Sequence, residues 1–279
     1  MAPNPVPAAE PVLVVDGLTI HNRLDDTPVV AGVSFSLAPG EVLGIVGESG
    51  SGKTITCRAL LGALPELFEI SSGSIRLLGR DAASLGRRDW TALRGAGVSA
   101  VFQDPASYLN PSIAVGKQLE EVLRVKTGLS RRAAHERSLE LLELVRIRDA
   151  GHVHSQFPHE LSGGMAQRVL ITIAIASEPA ILIADEATTA LDVTVQAEIL
   201  DLLADLRERL GLALILVSHD LAVVAQLSSE VIVMRSGEVV EQGPARRVLA
   251  EPRHEYTRLL LEEHHRFGLE RFVGAAVAS

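Results

Sequence analysis

Apolar and polar residues follow two rhythms along this chain, and the change of rhythm marks its organisation. Residues 12–20 are rich in β-formers. Residues 33–37 alternate apolar and polar side chains, as a strand with one buried face does. Val42–Val46 is a short apolar run that stops at a Gly-rich turn, and a helical stretch follows from Lys53 to about Leu64. Residues 75–77 and 98–102 read as further strands. From about Pro105 to Glu160 the period lengthens. Residues 119–123 and 133–145 carry apolar positions at helical spacing, with Glu and Arg between them, which predicts a helical insertion. Residues 181–184, 214–217 and 231–234 are short apolar runs of the kind that form buried strands. Between the first two, residues 195–210 form an amphipathic helical pattern that stops at Gly211, a suitable C-terminal cap. Strands alternating with helices predict an α/β domain with a largely parallel sheet, preceded by a more purely β segment.

Composition sharpens this picture. The chain has 279 residues, of which 47% are hydrophobic and 22% charged, enough for a substantial core. Aromatics make up only 3%, so that core must rest on Leu, Val, Ile and Ala. A formal net charge of −9 argues against general binding to a nucleic-acid backbone. Cys57 is the only cysteine, which excludes a disulfide framework or a cysteine-built metal cluster and fits a reducing compartment. Its position early in a helix predicts a small buried hydrophobe. Residues 1–11, MAPNPVPAAEP, lack the basic and apolar regions of a secretory signal, and their prolines predict a disordered lead-in. The longest apolar stretch, residues 169–183, is interrupted by Glu178 and Pro179 and falls short of a membrane span. A membrane role would therefore have to come through a partner.

The first chemical signal is Gly47, Glu48, Ser49, Gly50, Ser51, Gly52, Lys53 and Thr54, which fit GxxxxGK[ST] between a strand and a helix. Glycines let the backbone curl so that its N–H groups point inward at phosphate oxygens, and the positive end of the helix adds to that field. Lys53 supplies a point charge for β- and γ-phosphates, and the Thr54 hydroxyl can bind Mg²⁺. The second signal is the apolar strand 181–184 ending in Asp185 and Glu186. Asp185 is placed to hold Mg²⁺ through water, and Glu186 to accept a proton from an attacking water. Together these motifs define a P-loop NTPase, with ATP and Mg²⁺ as its expected ligands, and no more.

Leu161, Ser162, Gly163, Gly164, Met165, Ala166, Gln167 and Arg168 form a third motif. Ser162 and the backbone N–H groups of Gly163 and Gly164 open a helix, which makes a second anion site. The string resembles the signature of the ABC ATPase family and lies between the phosphate loop and the acidic strand, as it does there. Gln103 matches that family's glutamine loop, which touches Mg²⁺ and the membrane partner. Ala190, Leu191 and Asp192 match its D-loop, and His219 its switch histidine on the γ-phosphate. The resemblance covers residues 12–241. It implies a RecA-like core, an N-terminal antiparallel β subdomain and an α-helical subdomain at about residues 105–165. The domain boundaries it implies are 12–250 for the ATPase, then a helical tail at 251–279.

Longer strings are similar to ATPases of the dipeptide, oligopeptide and nickel importer group: FQDPASYLNP at 102–111, VGKQ at 115–118, FPHELSGGMAQR at 157–168, ADEATTALDVTVQ at 184–196 and PRHEYT at 252–257. The resemblance implies an ATP-hydrolysing subunit at the cytoplasmic face of the membrane, importing peptides or nickel and metal chelates. Its implied partners are two transmembrane permeases, a second ATPase subunit of the same or a different chain and, indirectly, an external substrate-binding protein. A soluble ABC machine is the alternative, though such machines carry coiled-coil or zinc insertions or a second cassette. Ala187 stands where the family has Pro, which loosens the turn without removing chemistry. No aromatic other than His21 lies near residues 20–25, so the adenine contact is left open. His152 and His154, and His264 and His265, could bind a metal in principle. Without a neighbouring Cys they are expected on a solvated surface. Arg131 and Arg132 are expected to begin a solvated helix face.

Overall fold

The structure, a computed structural model, describes residues 10–187 and 191–266; of residues 222 and 263–266 it describes the backbone. β1 (Leu13–Asn22), β2 (Pro28–Leu37) and β3 (Val42–Val46) lead into α1 (Lys53–Leu60). β4 (Phe68–Leu77), β5 (Arg80–Asp81), α2 (Arg87–Ala96) and β6 (Val98–Val101) follow. A run of helices comes next: α3 (Pro105–Tyr108), α4 (Val115–Thr127), α5 (Arg131–Leu144), α6 (Ala150–Ser155) and α7 (Gly163–Ile175). Then come β7 (Ile181–Asp185), α8 (Val193–Leu210), β8 (Ala213–Ser218), α9 (Leu221–Leu227), β9 (Glu230–Arg235), β10 (Glu238–Pro244), α10 (Ala245–Ala250) and α11 (Glu255–Arg266).

Two sheets organise the molecule. The central one has the order β10-β9-β3-β8-β7-β6, parallel throughout except for β10 at its edge. The other, β2-β1-β4-β5, is antiparallel. The continuous apolar runs are buried on both faces, as parallel strands covered on two sides must be. In β3, Val42 and Val46 join a core with Leu182, Ala184, Leu214, Leu216, Val231 and Val233, covered by helices including α7, α8 and α9. Leu43 and Ile45 face the opposite way. They pack with Ile181, Ile183, Ile215 and Ile232 against α1 and the antiparallel sheet. The alternating residues 33–37 lie in β2 with Val33, Phe35 and Leu37 buried and Ser34 and Ser36 exposed.

The helical insertion is the block α3 to α6, with α7 leading back to the sheet. In α4, Val115, Leu119 and Leu123 are buried, each contributing about 1.5–3 kcal/mol of apolar burial. Arg131 and Arg132 open α5 as exposed residues. Among the described residues no helix is long and apolar enough to cross a membrane. Cys57 is fully buried, and burial pushes its thiol well above the ordinary value.

Four expectations need correction. α1 ends at Leu60, short of residue 64, because Gly62 takes φ +57° and Pro65 follows. β4 starts at Phe68, well before residue 75. Its first seven residues are mostly exposed, so backbone pairing to β1 holds them without an apolar face. β6 stops at Val101, one residue before Phe102. The histidines expected on a solvated surface divide: His152 is exposed, whereas His154 is buried with its ring against α4. Gly116 makes that room, since a Cβ there would lie 2.1 Å from the imidazole Cγ. The side chains of His264 and His265 lie outside the described residues.

Gly44 lets α9 pack directly on β3. A Cβ there would stand 2.0 Å from Val224 Cγ1 and 2.8 Å from Ser228 Oγ. Overpacking of a tight core costs about 1–3 kcal/mol. Gly44→Val is therefore expected to lose at least that much stability, read as a lower midpoint in urea unfolding, whereas a neutral midpoint would show that α9 is not seated as described.

Candidate functional site: a phosphate loop facing two carboxylates

The parallel register sends β3, β7 and β8 out of the sheet at one edge. Val46 pairs with Ser218 and Asp185 with Val217, so the segments that follow these strands emerge side by side. The segment after β3 is the Gly-rich loop. Gly52 sits before α1 with φ +98°, and a Cβ there would lie 2.8 Å from Val29 O, so only glycine fits. Lys53 is buried and folded back on its own loop. Its ammonium donates to Gly47 O at 2.5 Å, to Glu48 O at 2.8 Å and to Ser51 Oγ at 3.4 Å. Burial lowers the Lys53 pKa, against the pull of Glu186 and Asp185. The loop thus holds a poised cation whose present partners are neutral oxygens that phosphate oxygens can replace.

The loop also has a support that the sequence reading missed. The Glu48 N–H donates to the Tyr256 hydroxyl at 2.9 Å, from α11 at the far end of the chain. Tyr256 is buried, with the Arg235 guanidinium 4.8 Å from its ring centre. Its signal lay in the string PRHEYT, whose likeness to a family gave no hint of a contact with the loop.

Across the cleft, Asp185 ends β7 and is 3% exposed. Burial raises its pKa; a hydrogen bond from Thr54 works against this and nearby Glu186 adds to it. Its Oδ1 is buried without a hydrogen-bond partner, which is costly for a carboxylate. An orphaned carboxylate oxygen beside a hydroxyl, with the Gln103 amide on the same cleft wall, is an all-oxygen donor set that suits Mg²⁺. Glu186 follows with φ +50°, a conformation that costs a non-glycine residue about 1–3 kcal/mol. Its N–H is held by Val217 O at 2.9 Å, and its carboxylate lies 3.9 Å from His219 Nδ1. Ala187 is buried in the helical core just beyond it.

Ser49, Gly50, Ser51, Gly52, Lys53, Thr54, Gln103, Asp185 and Glu186 line one cleft of ≈ 530 Å³, with Val29, Arg58, Phe68, Phe102 and Tyr108 among its other walls. His21, the one ring near residues 20–25, is bonded to Asp26 at 2.9 Å and does not line it. The aromatic walls are Phe68 and the stacked pair Phe102 and Tyr108, whose ring centres lie 5.2 Å apart.

The third motif is not in this cleft. Ser162 caps α7, its Oγ accepting the Met165 N–H at 3.3 Å, and Ser162 and Gly163 are exposed. A Cβ on Gly164 would lie 2.7 Å from Val195 Cγ1, so glycine there also lets α7 meet α8. Asp192 caps α8, accepting from Thr194 and Val195 N–H groups at 3.1 and 3.0 Å. Its neighbour Ala190 lies outside the described residues. One chain therefore holds the phosphate-loop cleft and, outside its lining, the exposed start of α7.

A strand–loop–helix phosphate cradle, facing two carboxylates at the carboxyl edge of a parallel sheet, defines a P-loop nucleotide-hydrolysing domain. The family model for the ABC transporter matches residues 30–189. The chain is 47% identical over 253 residues, 90% of this chain and 76% of the other, to a Brucella abortus protein that bears a peptide import ATP-binding name. It is 45% identical over 252 residues, again 90% and 76%, to the dipeptide transport ATP-binding protein DppD of Haemophilus influenzae. Among solved structures it resembles the ATP-binding cassette MJ0796, a dimer in a post-hydrolysis state bound to ADP and Pi. The TM-score is 0.74 and the identity 26%, over 84% of this chain and 99% of that one. The chain belongs to the ABC transporter family, as its ATP-binding and ATP-hydrolysing subunit.

The raised Asp185 pKa has a consequence for the stability of the protein without nucleotide. A carboxyl whose folded pKa lies above its unfolded value contributes stability below the unfolded pKa, and that stability is lost as pH rises through the folded one. At neutral pH the charge is a burden. Asp185→Asn, measured without nucleotide or Mg²⁺, is therefore expected to be more stable than the parent at pH 7 by about 0.5–2 kcal/mol. The gap should shrink as pH falls toward 3.8, the ordinary aspartate value. Equal or lower stability of the variant at pH 7 would show that Lys53 and Thr54 fully compensate the charge.

Proposed function

We propose that this subunit drives peptide import. Two copies of the cassette, identical or closely related, close on MgATP, and the closure is passed to two transmembrane permeases. The observation that carries the reading is the separation just described: the phosphate-loop cleft, and outside its lining the exposed Ser162 and Gly163 with the half-buried Gly164 at the start of α7. The N-terminus of α1 serves the near side of the phosphates, and the N-terminus of α7 from a second subunit closes the open side of the cleft. The dimeric neighbour holding ADP and Pi supports this arrangement, and the relatives' names favour peptides over nickel chelates.

In this reading the loop Gly47, Glu48, Ser49, Gly50, Ser51 and Gly52 cradles the phosphates through backbone N–H groups other than that of Glu48, which Tyr256 holds. Lys53 gives up its loop carbonyls for β- and γ-phosphate oxygens. Thr54, Asp185 and Gln103 hold Mg²⁺, which when bound neutralises charge on the phosphates. Glu186 takes the proton from the attacking water, and His219, beside it, holds the γ-phosphate. Ser162, Gly163 and Gly164 of the opposed subunit contact that same phosphate, with Asp192 at the shared interface.

Gln103 lines the nucleotide cleft and also a groove of ≈ 500 Å³ formed with Pro105, Leu109, Pro158, His159 and Leu161. That double position makes the groove the place where a permease loop on the cytoplasmic face of the membrane senses the nucleotide. The helical block at about residues 105–165 acts as the coupling unit, and α11 carries Tyr256, which steadies the loop. Cross-linking of the assembled transporter is expected to place permease loops against Pro105, Pro158 and His159. Cross-links confined to β1 and β2 would overturn the coupling route.

Glu186→Gln keeps size and hydrogen bonding but cannot accept a proton. It is expected to bind ATP normally, to lose about 10²–10⁴ in turnover and to accumulate as a closed ATP-bound dimer. Turnover of the whole transporter, read beside size-exclusion chromatography with MgATP, checks this. Near-normal hydrolysis with no trapped dimer would refute the role of Glu186 and leave the strand end without catalytic purpose.

A further inference from the structure

Away from the nucleotide cleft, three helices bring a second set of metal-ligating side chains together. Glu120 of α4, His135 of α5 and His154 of α6 each offer a ligand atom, and these atoms lie within 4.8 Å of one another. Glu120 Oε1 is 2.8 Å from His135 Nδ1 and 3.1 Å from His154 Nε2. The carboxylate and the His154 imidazole are 6% and 8% exposed, whereas His135 is half exposed. His154 Nε2 and His135 Nδ1 therefore face the same oxygen, Oε1 of Glu120, from two different helices. Two imidazole nitrogens converging on one buried carboxylate oxygen are the arrangement of a ligand set.

The surroundings are built to admit the ring. Gly116 lies under it, one turn before Glu120 on the same helix, and any side chain there would collide with the imidazole. The two histidine rings meet edge to face, with centres 4.8 Å apart. The remaining charged group is Lys117, whose ammonium sits 3.0 Å from both Glu120 oxygens. Its side chain is 61% exposed, so it can swing into solvent. A lysine bridging both oxygens of a buried carboxylate occupies the place of a cation.

We propose that Glu120, His135 and His154 form a site for a Zn²⁺-type divalent cation that displaces Lys117 and ties α4, α5 and α6 together. Two imidazoles and one carboxylate suit Zn²⁺, whereas Mg²⁺ and Ca²⁺ prefer all-oxygen shells. Zn²⁺ bonds of about 2.0–2.1 Å at tetrahedral angles separate ligand atoms by about 3.3 Å. Two of the three separations, 2.8 and 3.1 Å, are already near that spacing and the third is within 4.8 Å, so rotation of the half-exposed His135 ring completes the set. Water reaches the fourth position from the exposed side of His135. The site bears on function through the chain path: His154 lies in α6, whose following segment runs through Phe157 and Leu161 to Ser162. Pinning α6 to α4 and α5 fixes the base of the segment that presents the signature.

The test uses the full-length, untagged chain, stripped with EDTA and kept in excess Mg²⁺ so that the nucleotide carboxylates are occupied. Titration with Zn²⁺, followed by calorimetry and by melting temperature, is expected to show a site that stabilises the protein. Co²⁺ in its place should give the visible absorption of a four-coordinate ion. Glu120→Gln and the half-exposed His135→Ala should each weaken Zn²⁺ binding by about tenfold or more. Lys117→Ala should tighten it, an effect that misfolding cannot imitate. Asp185→Asn should leave the isotherm unchanged. Zn²⁺ binding that is absent, that survives both Glu120→Gln and His135→Ala, or that disappears with Asp185→Asn would overturn the proposal. The cluster would then be a lysine-neutralised hydrogen-bonded pair.

Discussion

Parallel register between β3, β8 and β7 is the constraint on which the rest of the site depends. Val46 stands beside Ser218, and Val217 beside Asp185. Three chain segments of very different sequence separation thereby leave the sheet at one edge. The phosphate loop, the carboxylate pair and His219 need no special device to find each other, because the strands beneath them have already done so. The register itself is set by burial. Every residue of β3, β7 and β8 is buried, with side chains alternating between a helical core and a core shared with the antiparallel sheet. A slip of one residue would exchange those faces for every side chain in the strand. It would also turn Asp185 out of the cleft.

The site spends stability that the two cores supply. Lys53 is buried against carbonyl oxygens that only partly replace water, and Asp185 keeps an unbonded oxygen out of solvent. Glu186 holds a left-handed backbone that a glycine would adopt freely. Each of these defects sits where a nucleotide phosphate, its cation or an attacking water would meet it. Tyr256 reduces the cost from a distance. By accepting the Glu48 N–H it satisfies one loop donor from outside the loop.

Much of this was legible in the sequence because the relevant signals are local. An apolar run followed by GESGSGKT is a strand and a cradle, whatever surrounds it. The pair Asp185 and Glu186 at the end of ILIA announces a functional strand end in the same way. Features that depend on a distant partner were not legible. β4 carries no apolar stripe over most of its length and exists because β1 offers it a ladder. Tyr256 reads as one more core aromatic until the loop is laid against it. His154 reads as a surface residue because its burial is decided by Gly116, on another helix. Gly164 and Asp192 show a subtler limit. Their family roles concern a nucleotide, yet within this chain they also bring α7 against α8 and cap α8. A sequence string cannot separate the two demands.

The helical block links these observations. Gln103 and Asp104 open it from the wall of the nucleotide cleft, and Leu161 and Gly163 close it at the start of α7. The two ends meet in a single groove, so a change at the nucleotide and a change at the signature both reshape the same surface. Such a surface transmits force only if the helices behind it move together. Apolar packing of Val115, Leu119, Leu123, Leu141, Leu142 and Val153 makes α4, α5 and α6 one body. The polar cluster of Glu120, His135 and His154 sits where those three helices converge. On the coupling route proposed above, the segment from α6 to Ser162 keeps its place relative to Gln103 only while that convergence holds, so stiffness in the insertion would matter as much as chemistry in the cleft.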